Sequence, residues 1–356
     1  MERSRCSTCP TCLPGICKTD EGKLTTDIFI LSKHSMWPEV QMSVTLKPDE
    51  IERKYGKLFC RGIYTMVDEE AGIAQIIEEC SAKGPVEWDA VNRKRAGGVL
   101  TDIRVEGTTL VMDAVIGERE VRFGPASKDL GGQGLKSIRI EGDVVKSTWV
   151  GLAGASVGVG ACMPQGPGTI EAEYPDDAKV GGAHRIEVTV STPKLTRVVF
   201  GLDDTDTKDK GASWVLMLKC ARSAPVGHFL QHKIVQLNPN VKDKTTQCTA
   251  VSASFAVRPS EYEALKEYVI RFVRENTVSN NTALVIMKGL RMPQVLVEYG
   301  LRAKVEVLTV QDAEKAAETG GAEIVEITGR RGLIGALAGL GCHDLGIKAA
   351  GLPDDW

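Results

Sequence analysis

Three carboxylates fall within four residues at Asp203, Asp204 and Asp206. They follow the β-branched run Arg197 to Leu202 and precede a Lys/Asp/Gly turn that ends at Gly211. Like charges at this density repel one another and push one carboxyl's pKa upward unless a cation neutralises them. Hard oxygen ligands so arranged suit Mg²⁺, which is commonly shared with substrate phosphates. The apolar run Trp214 to Leu218 predicts a buried helix over 212–221, so the acids sit at the C-terminal tip of a strand, where layered sheets place their ligands. The same residues also suit a solvated acidic turn, because Asp and Thr are ordinary turn formers.

Two further stretches carry chemistry that complements acids. The segment Asn238-Pro239-Asn240 stops an extended run, and Lys244 and Thr245 after it offer an ammonium and a hydroxyl to phosphate oxygens; a plain polar loop is the alternative. Gly329-Arg330-Arg331-Gly332 opens the small-residue helix 333–340. A Gly-rich turn at a helix start presents N–H groups and a positive dipole end to an anion, and either arginine can clasp a phosphate. Two solvated arginines beside a closely packed helix are the alternative. Near the N-terminus, Cys6, Cys9, Cys12 and Cys17 have spacings that could wrap Zn or an iron–sulfur cluster, or belong to a disordered leader.

Composition bounds the rest. The 356 residues, 42% hydrophobic and 26% charged, describe an ordinary globular chain of two or three domains. The net charge of −3 supplies no overall positive field for nucleic acid or an anionic membrane. No apolar run approaches the roughly 20 residues of a membrane span, and no signal segment opens the chain, which points to the cytoplasm. The other six cysteines are scattered and read as small buried residues.

Patterning predicts strands at 44–46, 58–67, 99–105, 109–116, 120–123, 184–190, 197–202, 233–237, 251–257, 284–287, 305–308 and 324–327. It predicts helices at 71–80, 260–275 (from a Ser260/Glu263 capping box), 294–299, 311–319 and 333–340. The Gly-rich stretch 151–168 reads as a linker with close packing, or as a ligand loop. The expected fold class is α+β / α/β: a leader over 1–40, a mixed N-terminal domain over 41–190, and a layered α/β domain over 191–356.

Gly201-Leu-Asp-Asp-Thr-Asp206 with Gly211 resembles the signature of the archaeal 2-agmatinylcytidine synthetases that modify an isoleucine tRNA. Val235-Gln-Leu-Asn-Pro-Asn240 with Lys244-Thr245, and Gly332-Leu-Ile-Gly-Ala-Leu-Ala338, resemble the same family in the same order. The resemblance implies a kinase-like ATP domain with Asp203, Asp204 and Asp206 as Mg–ATP ligands. Over residues 41–356 the chain also resembles methanogenesis marker protein 11, which implies a role around methyl-coenzyme M reductase or its maturation proteins.

The expected function is therefore ATP- and Mg²⁺-dependent phosphoryl or nucleotidyl transfer by Asp203, Asp204 and Asp206, in reductase or cofactor maturation. Gly211, Asn238, Asn240, Lys244, Thr245, Arg330, Arg331 and Gly332 would contact the nucleotide. The alternatives are a non-catalytic nucleotide-binding assembly factor, a tRNA-modifying ligase of the synthetase type, and an iron–sulfur protein. The acidic charge, and a chain that ends just after residue 341 without the synthetases' nucleic-acid-binding modules, argue against nucleic acid as a partner. A membrane partner is not expected either.

Overall fold

The fold is built on one 19-residue strand that belongs to more than one sheet. The computed structural model describes residues 43–123 and 131–355. Before that strand come β1 (Ser43–Leu46), α1 (Pro48–Tyr55), β2 (Cys60–Asp68), β3 (Ile73–Cys80), α2 (Lys83–Ala96), β4 (Leu100–Glu106), β5 (Thr109–Val115), β6 (Gly117–Glu118), β7 (Gly132–Glu141), β8 (Val144–Leu152) and β9 (Glu171–Pro175). The long strand is β10 (Arg185–Asp203). After it come α3 (Ser213–Arg222), β11 (His228–Gln236), β12 (Thr249–Val257), α4 (Tyr262–Asn276), β13 (Ala283–Lys288), α5 (Gln294–Ala303), α6 (Val310–Gly320), β14 (Glu323–Glu326) and α7 (Leu333–Gly341).

The first half of β10 pairs antiparallel with β8 from Arg185 to Pro193, and also meets β9. At Lys194 and Leu195 it touches β2, the edge of the antiparallel set β4-β5-β3-β2. Its second half, from Thr196, is the centre of a second antiparallel sheet in the order β11-β12-β10-β13-β14. Pro193 marks the changeover, where a residue without an N–H costs the ladder least. On one face of the second sheet Val198, Phe200 and Leu202 pack with Met217 of α3 and Leu265 and Val269 of α4. On the other, Val199 packs with Leu296 of α5, Ala317 of α6 and Ala336 of α7. The architecture is α+β, with helices on both faces of an antiparallel sheet.

Several expectations are corrected. Residues 73–80 form β3 rather than a helix: it lies between β2 and β5 and is buried along nearly its whole length. This central strand is buried on both faces, with Gln75 and Glu78 paired to Asp113 and Arg93, so Ile73, Ile76 and Ile77 match helical spacing by accident, and their β-branching favours the sheet. Residues 305–308 are not a strand; Val305 and Val307 project into solvent where α5 turns toward α6. Of 120–123 only Val121 forms an isolated bridge, to Gly97, while the Arg122 and Phe123 N–H groups donate to the Ala96 carbonyl at the end of α2. A 3₁₀ turn at Pro259–Glu261 precedes α4, and no side-chain cap forms there. The stretch 153–165 is three short helical turns with Val159 to Pro164 buried, so it is a packing element and not a linker. Cys6, Cys9, Cys12 and Cys17 lie outside the described residues.

The N-terminal core contains a fully buried guanidinium. Arg93 bonds Glu78 at 2.5 Å and Asp89 at 3.4 Å, donates to Gln133 Oε1 at 3.1–3.2 Å, and lies 4.9 Å from the ring centroid of buried Trp149. Burial raises the Asp89 carboxyl to about 6, against the pull of Arg93. Removing one partner from such a pair leaves an uncompensated charge. Arg93→Ala is therefore expected to cost about 3–5 kcal/mol of stability in denaturant unfolding, and a loss under about 1 kcal/mol would contradict the network's role.

Candidate functional site

At the tip of β10 the chain turns sharply. Asp203 is the strand's last residue, paired with Ala283, and Asp204 adopts a left-handed backbone with φ 58°. Such a conformation is uncommon for a residue with a Cβ and persists only where its surroundings hold it. Here Thr282 Oγ1 donates to the Asp204 carbonyl at 2.7 Å, and Ser279 Oγ donates to Asp204 Oδ1 at 2.9 Å. The next residue is pinned as well: Thr205 donates through N–H and Oγ1 to Ser213 Oγ at 3.3 and 2.9 Å, and its carbonyl accepts from Val278 N–H.

The turn opens into a cavity of about 400 Å³. It brings together Asp203, Asp204, Asp206, Gly211, Lys244, Thr245 and Arg331 from three separated segments. Leu237, Val241, Ala303, Leu308 and Ile334 add an apolar wall. Size and mixed lining are those of a small-molecule site.

The carboxylates are handled differently. Asp204, 9% exposed, takes Arg331 Nε at 2.7 Å and Nη2 at 3.2 Å. Asp203 has some exposure but lies against α7, where a Cβ on Gly335 would collide with its carboxylate. Burial, ahead of the nearby Asp204 and Asp206 charges, pushes its carboxyl up to about 8. Asp206 is raised too, chiefly by burial, and accepts from Thr245 Oγ1 at 3.4 Å. Among the described residues no three His, Cys, Asp or Glu side chains form a metal-ligand group. With Asp204 committed to Arg331 and Ser279, the donors left in the cavity are Asp203 and Asp206. That set fits Mg²⁺ held by one or two carboxylates together with substrate phosphates, not a cage of three.

Other residues singled out in the sequence sit apart. Arg330 pairs with Glu314 and lies 3.8 Å from Glu326, away from the cavity. The helix-start N–H groups are spent: Gly332 N donates to Asn281 O, Leu333 N to Arg330 O and Ile334 N to Arg331 O, so this turn is not a free anion cradle. Asn238 donates to Val305 O and accepts from the Asn240 N–H, behind Leu237 and Val241. Lys244 lines the cavity while its ammonium bonds the Pro239 carbonyl of its own loop. Sequence reasoning missed Ser213, Ser279 and Thr282, which hold the acid turn. The hydroxyl-rich run Thr277-Val-Ser-Asn-Asn-Thr282 was the signal for two of them.

A family model described as the TiaS TCKD domain matches residues 199–261. The uncharacterised protein MJ0921 of Methanocaldococcus jannaschii is 31% identical over 284 residues, 79% of this chain and 93% of that protein. The isoleucine-tRNA 2-agmatinylcytidine synthetase TiaS of Pyrococcus horikoshii is 34% identical over 152 residues, 40% of this chain and 34% of its own length. The Thermococcus sibiricus TiaS is 31% identical over 153 residues, 41% of this chain and 35% of that protein. The chain thus spans about a third of the length of these synthetases. A crystal structure of TiaS in complex with its tRNA and ATP aligns with 41% of this chain and 36% of that one, at 24% identity and a TM-score of 0.37.

These relatives overturn the expectation against nucleic acid, since the TiaS synthetases are named for a tRNA. A net charge near zero does not forbid local cations, and Lys208, Lys210 and Lys244 line this cavity beside Asp209 and Asp243. None of them names methyl-coenzyme M reductase or its maturation proteins, and that partnership is withdrawn. No described helix is long and apolar enough to cross a membrane.

A raised folded-state pKa means that the folded protein holds a proton the unfolded chain has released, so stability falls as pH rises from about 4 toward about 8. Asp203→Asn removes that penalty. Without nucleotide or divalent ions, its Tm is expected to gain on the wild type steadily between about pH 5 and about pH 8 and to hold the gain above. A Tm difference independent of pH would refute the burial of this carboxyl.

Proposed function

The chain belongs to the family of the uncharacterised protein MJ0921 of Methanocaldococcus jannaschii, and on that premise we propose that it is an ATP-dependent activating enzyme of the TCKD type acting on RNA. The observation that carries this is the convergence of the β10 acids, Lys244, Thr245 and Arg331 on one cavity, overlapping a TCKD match at 199–261. In the proposal a phosphoryl or nucleotidyl group passes from ATP to a carbonyl oxygen of the acceptor, releasing ADP or diphosphate. The oxygen becomes a leaving group that a nucleophile then displaces. Catalysis of this kind is mostly positioning and charge stabilisation.

Each part has an assigned task. The apolar wall of Leu237, Val241 and Leu308 takes the adenine, and the turn ending at Gly211 borders the phosphates. Lys244 exchanges the Pro239 carbonyl for a phosphate oxygen, and Thr245 adds a hydroxyl. Asp203 and Asp206 would hold Mg²⁺, which supplies charge neutralisation at the phosphates. Arg331 keeps Asp204 oriented and supplies positive potential at the cavity floor. RNA is the acceptor class because the TiaS relatives are named for a tRNA. The division into 1–40, 41–190 and 191–356 is part of the proposal, as is the methanogenesis setting implied by the wider resemblance.

Thermal shift tests it. Saturating ATP with Mg²⁺ is expected to raise the wild-type Tm by several degrees, as about 2–3 kcal/mol of ligand stabilisation would. The double variant Asp203→Ala/Asp206→Ala is expected to lose the shift. No wild-type shift, or a full shift in the double variant, would defeat the reading.

A further inference from the structure

A large, partly exposed aromatic side chain stands at the cavity. Trp214 is the second residue of α3 and remains 43% exposed, whereas the buried residues of that helix are Ser213, Met217, Cys220 and Ala221. It stands at the rim of the face that carries Met217 and Ala221, one and two turns further on, and it lines the cavity. Its backbone is anchored at the helix start, where its neighbour Ser213 is hydrogen-bonded to Thr205. Beside it Lys208 and Lys210 line the cavity on a turn closed by Thr207 N–H to Lys210 O at 2.8 Å. Both lysines are exposed, as is Asp209 between them, and among the described residues neither lysine forms an ion pair.

We propose that Trp214 is a stacking platform for an unpaired base of a single-stranded RNA acceptor, with Lys208 and Lys210 against its phosphodiester chain. An aromatic face flanked by cations is the recurring means of holding single strands, because every base presents a π-face and each phosphate a charge. A nucleobase could come from ATP or from the polynucleotide. The apolar wall already suits a mononucleotide base, whereas two unpaired lysines beside an exposed ring match a chain of phosphates. The inference rests on the RNA-acceptor reading above and names the residue that would receive the base.

The test uses the full chain and a labelled single-stranded RNA of about ten nucleotides, a typical site size. Binding is followed by anisotropy in the wild type, Trp214→Leu, Trp214→Phe and Lys208→Ala/Lys210→Ala, with ATP-induced thermal shift measured in parallel. Trp214→Leu is expected to weaken RNA binding about tenfold or more, and Trp214→Phe, which keeps a ring, to restore most of it. The lysine pair variant is expected to flatten the salt dependence by up to about 0.7 per lost phosphate contact. Unchanged RNA binding in Trp214→Leu, or equal losses in the Leu and Phe variants, overturns the proposal. So does a wild type that responds to ATP but binds no RNA, and so does Trp214→Leu weakening ATP instead of RNA. RNA binding that depends on the ring in a protein without an ATP shift would remove the ATP reading and leave this one standing.

Discussion

How closely a helix can approach a strand decides whether this site exists. α7 lies on the end of β10, with Gly335 and Ala336 where larger side chains would hold the two apart. A Cβ on Gly201 would strike the Ala336 carbonyl, and one on Gly335 would strike the Asp203 carboxylate. Glycine costs a helix about 1 kcal/mol relative to alanine, yet α7 carries glycines at 335, 339 and 341. That contact sets Arg331, two residues before α7, within 2.7 Å of Asp204. The turn that looked like an anion cradle serves instead to bring a guanidinium to a carboxylate.

The crowding of three acids is then relieved three ways within one turn. Asp204 is neutralised by Arg331 and held by Ser279. Asp203 is driven toward its protonated form by burial. Asp206 keeps a weaker tie to Thr245 and the cavity beyond. A floor with three full negative charges would repel a polyphosphate, whereas this one is close to balanced. Local pairing, not the formal count of acids, sets the potential a ligand meets.

The acid tip, the helices at 212–221 and 333–340 and most strands of the second sheet were legible in the sequence, because each is announced by local spacing. What was not legible depends on partners distant in sequence. The 71–80 segment is a strand because β2 and β5 flank it, and 305–308 is not one because Val305 and Val307 project into solvent without a ladder. Arg330 and Arg331 are adjacent and identical in type. Only the fold sends one to Glu314 and the other to Asp204. The hydroxyls of Ser279 and Thr282 were hidden for the same reason, lying more than 70 residues from the acids they hold.

The long strand has a mechanical consequence. β10 is shared between the sheet of β8 and the sheet of β12 and β13, so the two halves are not joined by a pliable linker. Side chains reinforce the junction: His228 stacks on Tyr64 with centroids 3.6 Å apart, and Glu106 accepts from Gln231 at 2.8 Å and Lys233 at 2.9 Å. Hinges need a few residues free to change φ and ψ, and a strand with a ladder partner at every residue from Arg185 to Asp203 supplies none. Any surface of the N-terminal sheets that contacts an acceptor is therefore held in fixed register with the acids at residue 203 and beyond. Positioning of this kind, set by the fold before a substrate arrives, is what phosphoryl transfer chiefly asks of a protein.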